Sequence, residues 1–126
     1  MGVIRLVLVE DNRLFRETME LLLGLRPELE LVGSLENGRQ AIAVCAELAP
    51  DVVVMDYRMP GIDGAQTTAA VLKASPRTRV ICLTASVSDE ERELVLAAGA
   101  VACITKLESL DRIVEAILEV GEAAAA

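Results

Sequence analysis

Four apolar runs in the chain each end on residues suited to phosphate chemistry. VIRLVLV leads into Glu10 and Asp11, VVVM into Asp56, VICL into Thr84, and AVACIT into Lys106. Continuous Val/Ile/Leu runs are the signature of parallel strands buried on both faces. Open α/β sheets bind their ligands outside the carboxyl ends of such strands. Three carboxylates, a hydroxyl and an ammonium are therefore expected at one edge of one sheet. Carboxylates sharing a small site at neutral pH need a cation or protons to offset their repulsion. Oxygen-only donors suit Mg2+, which uses one or two carboxylates together with waters and a phosphate. The lysine is a compact charge for a phosphate oxygen, and an aspartate acting as nucleophile forms an acyl phosphate. Each residue also has a plainer reading: Asp11 or Asn12 as a helix cap, Thr84 as a β-prone strand residue, Lys106 as an exposed lysine closing a strand. Their joint occurrence is what points to chemistry.

The elements that must position these groups follow from periodicity. Phe15, Met19, Leu22 and Leu23 have helical spacing, and Gly24 and Pro27 mark the exit. LELVGSL reads as the second strand. A helix over Gly38 to Ala49 carries Ala41, Ile42, Cys45 and Ala46 on one face and closes at Pro50. DVVVMD is the central strand, and the loop MPGIDG after it supplies turn residues at Pro60, Gly61 and Gly64. A weakly amphipathic helix is expected near Gln66 to Ala74, and another over Ser88 to Ala98 with Ser88 as its cap. Leu110, Ile113, Val114 and Ile117 stripe the last helix. Five strands alternating with five helices predict an α/β fold, a doubly wound five-stranded parallel sheet of flavodoxin-like type in the order 2-1-3-4-5. Strands one and three then lie side by side and deliver Glu10, Asp11 and Asp56. The domain is expected over 1–121, with 122–126 as the helix end or the start of a linker.

Composition narrows the function classes. The chain has 126 residues, enough for one domain with a single core, and 53% of them are hydrophobic, which excludes general disorder. No run approaches a membrane span. The start MGVIRL lacks the features of a signal peptide, and Leu6 stands where a myristoylation motif needs Ser or Thr. A cytoplasmic location is expected. Net charge of −8 argues against direct nucleic-acid binding, which needs a basic face. Cys45, Cys82 and Cys103 are an odd number in apolar surroundings and read as buried, reduced thiols. Histidine is absent, so His-based catalysis and phosphohistidine are excluded on this chain.

The segments VLVEDN, DVVVMDYRMPGIDG, VICLTAS and AGAVACITK occur in order, at family-like spacing. They resemble the receiver domain of two-component response regulators over nearly the whole chain. The resemblance implies Asp56 as phosphoacceptor, with Mg2+ held by Glu10, Asp11, Asp56 and the backbone carbonyl of Arg58. It implies that Thr84 and Lys106 engage the phosphoryl group, with Ala85 small enough to let it approach. Arg58 and Ser86 fall at the positions that modulate dephosphorylation in this family. The implied donor is a partner histidine kinase or phosphotransfer protein, and the implied readout is an altered interaction with an output domain or partner protein. The style of DNRLFRETMELLL and ELELVGSLENG is closest to receivers that precede helix-turn-helix DNA-binding domains, which makes transcription control the expected output. Receivers of this type form homodimers through the first and fifth helices, or through the face of the fourth helix, fifth strand and fifth helix, and nothing in the sequence chooses between them.

The chain departs from the pattern at two places. Receivers commonly carry Tyr or Phe three residues before the lysine, where a rotamer change accompanies movement of the threonine. Cys103 stands there, and the remaining aromatics are Phe15 and Tyr57. Phosphorylation is then expected to survive while its signal is muted or differently routed. Leu107 replaces the proline that usually follows the lysine, often through a cis bond. The side chain of Arg58 either reaches over the acceptor or points into solvent. Two other function classes compete with the switch. A Mg2+-dependent phosphatase with an aspartyl nucleophile needs a second carboxylate close after it, where Arg58 stands. A degenerate receiver acting as a phosphorylation-independent scaffold or dimerisation module draws support from Cys103 and is opposed by the complete acceptor set.

Overall fold

The computed structural model describes residues 2–85 and 89–125. Five strands, β1 (Ile4–Val9), β2 (Leu29–Leu35), β3 (Val52–Asp56), β4 (Arg79–Thr84) and β5 (Ala102–Thr105), form one parallel sheet in the order β2-β1-β3-β4-β5. Five helices connect them: α1 (Arg13–Gly24), α2 (Gly38–Leu48), α3 (Gly64–Ala74), α4 (Asp89–Ala97) and α5 (Leu110–Ala125). The expected topology is the observed one.

The sheet is buried on both faces because its strands are apolar at both parities. Successive residues of a strand point to opposite sides. Leu6, Leu8, Val52, Val54, Ile81 and Leu83 pack with Met19 and Leu23 of α1 and with Ile113, Val114 and Ile117 of α5. Their neighbours Val7, Val9, Val53, Met55, Val80 and Cys82 pack with Ala41 and Cys45 of α2, Val71 of α3 and Val95 of α4. Cys103 belongs to this second core. All three cysteines are buried and free, and burial pushes the Cys45 thiol up to about 11. They are packing residues, as composition implied.

Caps set where the helices begin. Asn12, not Asp11, caps α1 by accepting the Phe15 amide at 2.9 Å. Asn37 caps α2 in the same way, and Ala49 closes it in the left-handed region at φ 45° rather than continuing it. Helix α3 starts two residues before the expected Gln66, because Asp63 and Gln66 form a reciprocal capping box. The Ser88 cap proposed for α4 lies outside the described residues. The alanine tail continues α5 through Ala125. The Lys106–Leu107 bond is trans, consistent with the roughly 2.5–4 kcal/mol that a cis bond costs before a non-proline residue.

The loop after β3 is tied down by a close approach. Gly64 N donates to Tyr57 O at 2.7 Å, and a Cβ on Gly64 would lie 2.8 Å from the Tyr57 Cα. Backbone meets backbone there, so neither side can give way. Gly64→Ala is expected to destabilise the protein by about 1–3 kcal/mol through overpacking. Gly24→Ala, at the end of α1 where a Cβ meets nothing within 4 Å, should instead be neutral or stabilising by up to about 1 kcal/mol. Urea denaturation of the two variants beside the parent checks both signs.

Candidate functional site

Strand ends bring the site together. Val9 pairs with Met55, so the next residues on each strand, Glu10 and Asp56, emerge side by side where β1 and β3 adjoin. Asp56 pairs with Leu83, which puts Thr84 one step further along β4, and Thr84 pairs with Thr105, which puts Lys106 just past β5. Backbone bonds hold these ends: Glu10 N to Leu35 O at 2.9 Å, Tyr57 N to Leu83 O at 2.8 Å, and Lys106 N to Thr84 O at 2.8 Å.

Carboxylate oxygens of Glu10, Asp11 and Asp56 lie within 4.8 Å of one another. Glu10 and Asp56 are buried, at 1% and 7% exposure, while Asp11 is exposed. The Lys106 ammonium reaches both buried carboxylates, 2.6 Å from Glu10 Oε1 and 3.3 Å from Asp56 Oδ2. Glu10 Oε2 accepts the Asn12 amide at 3.0 Å. Oε1 has the ion-pair contact with Lys106, but no hydrogen-bond donor among the described residues is aligned on it. Burial, reinforced by the charge of Glu10 and opposed by Lys106, raises the Asp56 carboxyl to about 7. Burial opposes the charge of Lys106, yet Glu10 and Asp56 together hold its pKa above the ordinary lysine value.

Thr84 is buried at the end of β4, and Ala85 after it is exposed. Ser86 lies outside the described residues. The Arg58 side chain is largely exposed, with 73% of it open to solvent. It turns toward α4, where Nε and Nη2 contact Glu91 Oε2 at 3.0 and 2.9 Å. Cys103 sits in the core below α4, and its carbonyl accepts Arg92 Nη1 at 2.9 Å.

Two members of the site were not anticipated. Glu91 accepts the Thr84 hydroxyl at 3.1 Å on the oxygen that Arg58 does not use. In the sequence it is one of three acids opening a helix, a pattern that interaction with the helix dipole already explains. The Phe15 ring lies beneath Lys106, with Nζ 4.6 Å from its centroid. That is cation–π geometry, and its only sequence signal was an apolar position on α1.

A buried carboxylate pair bridged by one lysine, at the carboxyl edge of a doubly wound sheet in this strand order, defines a receiver-type α/β domain. The response regulator receiver domain model matches residues 6–118, and the chain belongs to that family. It is 32% identical to the transcriptional regulatory protein DegU of Brevibacillus brevis, over 97% of this chain and 52% of that protein. It is 35% identical to the response regulator GacA of Pseudomonas viridiflava, over 91% of this chain and 54% of that protein. The chain thus spans about half the length of these curated relatives. Among solved structures, a signal receiver domain of the response regulator NarL from Mycobacterium tuberculosis superposes with a TM-score of 0.91 at 34% identity, covering 97% of this chain and 98% of that one. A DNA-binding response regulator of the LuxR family from Staphylococcus aureus superposes with a TM-score of 0.88 at 28% identity, covering 94% and 99%.

The raised Asp56 pKa makes stability depend on pH. Between the ordinary carboxyl value of 3.8 and about 7, the folded protein holds a proton that the unfolded chain has released. Stability from this group therefore falls as pH rises through that window. In metal-free buffer, Asp56→Asn should stabilise the protein at pH 7.5 by roughly 1–3 kcal/mol, the range for relieving an imperfectly satisfied buried group. The gain should vanish below pH 4. Urea midpoints of the two proteins across that range measure it.

Proposed function

We propose that the domain is a phosphorylation-dependent switch in which Asp56 accepts a phosphoryl group from a partner histidine kinase or phosphotransfer protein. The observation that carries this reading is the convergence of Glu10, Asp11 and Asp56 with Lys106 at one strand edge. Three carboxylates against one ammonium leave the edge short of positive charge. The donors are all oxygen, and among the described residues a buried oxygen of Glu10 lacks an aligned hydrogen-bond donor, so the residues fit a hard divalent cation. Glu10, Asp11, Asp56 and the Arg58 carbonyl are the groups that would hold Mg2+. Bound there, Mg2+ would neutralise charge on a transferring phosphoryl group.

The remaining groups divide the work. Lys106 holds a fixed positive charge within reach of the acceptor carboxylate and suits a phosphoryl oxygen. Thr84 supplies a hydroxyl at the neighbouring strand end, and exposed Ala85 places no large side chain beside it. Deprotonated Asp56 is the nucleophile, and the aspartyl phosphate is the stored signal. The chain would catalyse only its own phosphorylation and dephosphorylation. Arg58, at the place where an aspartyl phosphatase needs its second carboxylate, argues against turnover of a separate substrate. Relatives named as transcriptional regulators support an output domain in transcription control as the listener. Among the described residues no helix is long and apolar enough to cross a membrane.

Incubation with acetyl phosphate and Mg2+, followed by intact mass, should show one phosphoryl adduct that Asp56→Asn abolishes. Absence of an adduct from any donor would favour the scaffold reading. Divalent-cation binding should displace the Asp56 proton. Affinity for Mg2+ should then weaken about tenfold per pH unit below pH 7, as expected where metal and proton compete for one ligand. Tyr57, the only tyrosine in a chain without tryptophan, adjoins the acceptor and gives a fluorescence signal to follow it.

A further inference from the structure

Glu91, in the first turn of α4, connects that helix to the strand edge through both of its carboxylate oxygens. Oε1 accepts the Thr84 hydroxyl at 3.1 Å. Oε2 takes Arg58 Nε and Nη2 at 3.0 and 2.9 Å. The carboxylate is largely buried, with 15% of its side chain exposed. It thereby gathers one donor from the end of β4 and one from the loop two residues beyond Asp56. The next residue, Arg92, donates Nη1 to the Cys103 carbonyl at 2.9 Å. One turn of α4 is thus bonded both to the site and to β5, at the residue that replaces the family's aromatic.

We propose that Glu91 is the positioning residue that reports phosphorylation to α4, holding Thr84 and Arg58 until a phosphoryl group on Asp56 takes them. The inference rests on Asp56 being the phosphoacceptor. A phosphoryl group adds roughly −1.5 to −2 charges and strong acceptor oxygens. A guanidinium fork pairs with phosphate as readily as with carboxylate, and a hydroxyl donates to either. The phosphoryl group therefore competes with Glu91 for both of its donors at once. A Glu91 that loses them is an unpaired carboxylate, 15% exposed, facing the like charge of the phosphoryl group, which is unfavourable. Movement of the first turn of α4 toward solvent relieves it. Arg92 shares that turn, so its bond to the Cys103 carbonyl carries the displacement to β5. This path runs through charge and backbone and needs no bulky side chain at position 103. It supplies the two-state bias that the missing aromatic rotamer would otherwise provide.

The test combines adduct formation with amide shifts over α4, in the wild-type protein, Glu91→Ala and Glu91→Gln, with acetyl phosphate and Mg2+. Wild type should form the adduct and show large shifts across Asp89–Ala97. Glu91→Ala should begin with α4 amides displaced toward their phosphorylated positions. It should shift further on phosphorylation by at most about half the wild-type amount, its equilibrium being already biased. Its adduct should form faster, up to about tenfold, since Thr84 and Arg58 no longer have to leave a hydrogen-bonded charged partner. Glu91→Gln keeps the shape and the hydroxyl acceptor while removing the charge, and should show the reduced shift even if Glu91→Ala folds poorly. Wild-type adduct rates and full α4 shifts in Glu91→Gln would overturn the role of Glu91 alone. No adduct on the wild-type protein would overturn the acceptor reading and this inference with it.

Discussion

The Lys106 ammonium lies between Glu10 Oε1 at 2.6 Å and Asp56 Oδ2 at 3.3 Å, and this contact lets two buried carboxylates share one sheet edge. Ionised carboxylates shut away from water are tolerated only when paired and hydrogen-bonded. Lysine suits the task because its long stem brings a compact charge from the end of β5 to the ends of β1 and β3, several strands away. The Phe15 ring beneath Nζ adds an apolar, electron-rich surface that keeps the ammonium in place. One positive charge does not balance this many carboxylates. Burial, reinforced by the charge of Glu10, lets Asp56 keep its proton up to about 7. The edge is stable enough to fold and still short of positive charge, which a bound cation would supply.

The rest of the fold serves to hold that edge. Apolar side chains at both parities fasten the sheet between α1 and α5 on one face and α2, α3 and α4 on the other. Strand ends cannot drift apart while their cores are shared. Asn12 takes the capping duty for α1, which leaves the neighbouring Asp11 carboxylate exposed beside Glu10 and Asp56. Gly64 lets the start of α3 sit directly against Tyr57, fixing the loop that follows β3.

The place of Cys103 shows how a sequence departure is absorbed. The small Cys103 thiol sits in the core beneath α4, beside a cavity of about 210 Å³ that Arg92, Ile104 and Thr105 also line. What it removes is a bulky side chain able to swing between two positions. The contacts between α4 and the site are instead polar, through Glu91 to Thr84 and Arg58, and through Arg92 to the Cys103 carbonyl. In the switch proposed for the domain, such contacts would answer to charge rather than to available volume.

Local pattern along the chain is enough to set the strands, their parallel arrangement and the five residues at their ends. Hydrophobic runs are a local signal, and a residue at the end of a buried parallel strand has only one edge to occupy. The loss of the aromatic at position 103 is equally legible there, since that is a matter of identity at one place. Helix starts were less legible: the capping box at Asp63 and Gln66 moved α3 forward by two residues, because a cap is a side-chain geometry and not a periodicity. Tertiary structure alone decided that Arg58 turns to α4, that Glu91 joins it to Thr84, and that Phe15 lies under Lys106. Arg58 and Glu91 are 33 residues apart, on elements whose separation no spacing along the chain encodes. Periodicity reports which face of its own element a residue occupies; the partner it meets depends on how separate elements pack.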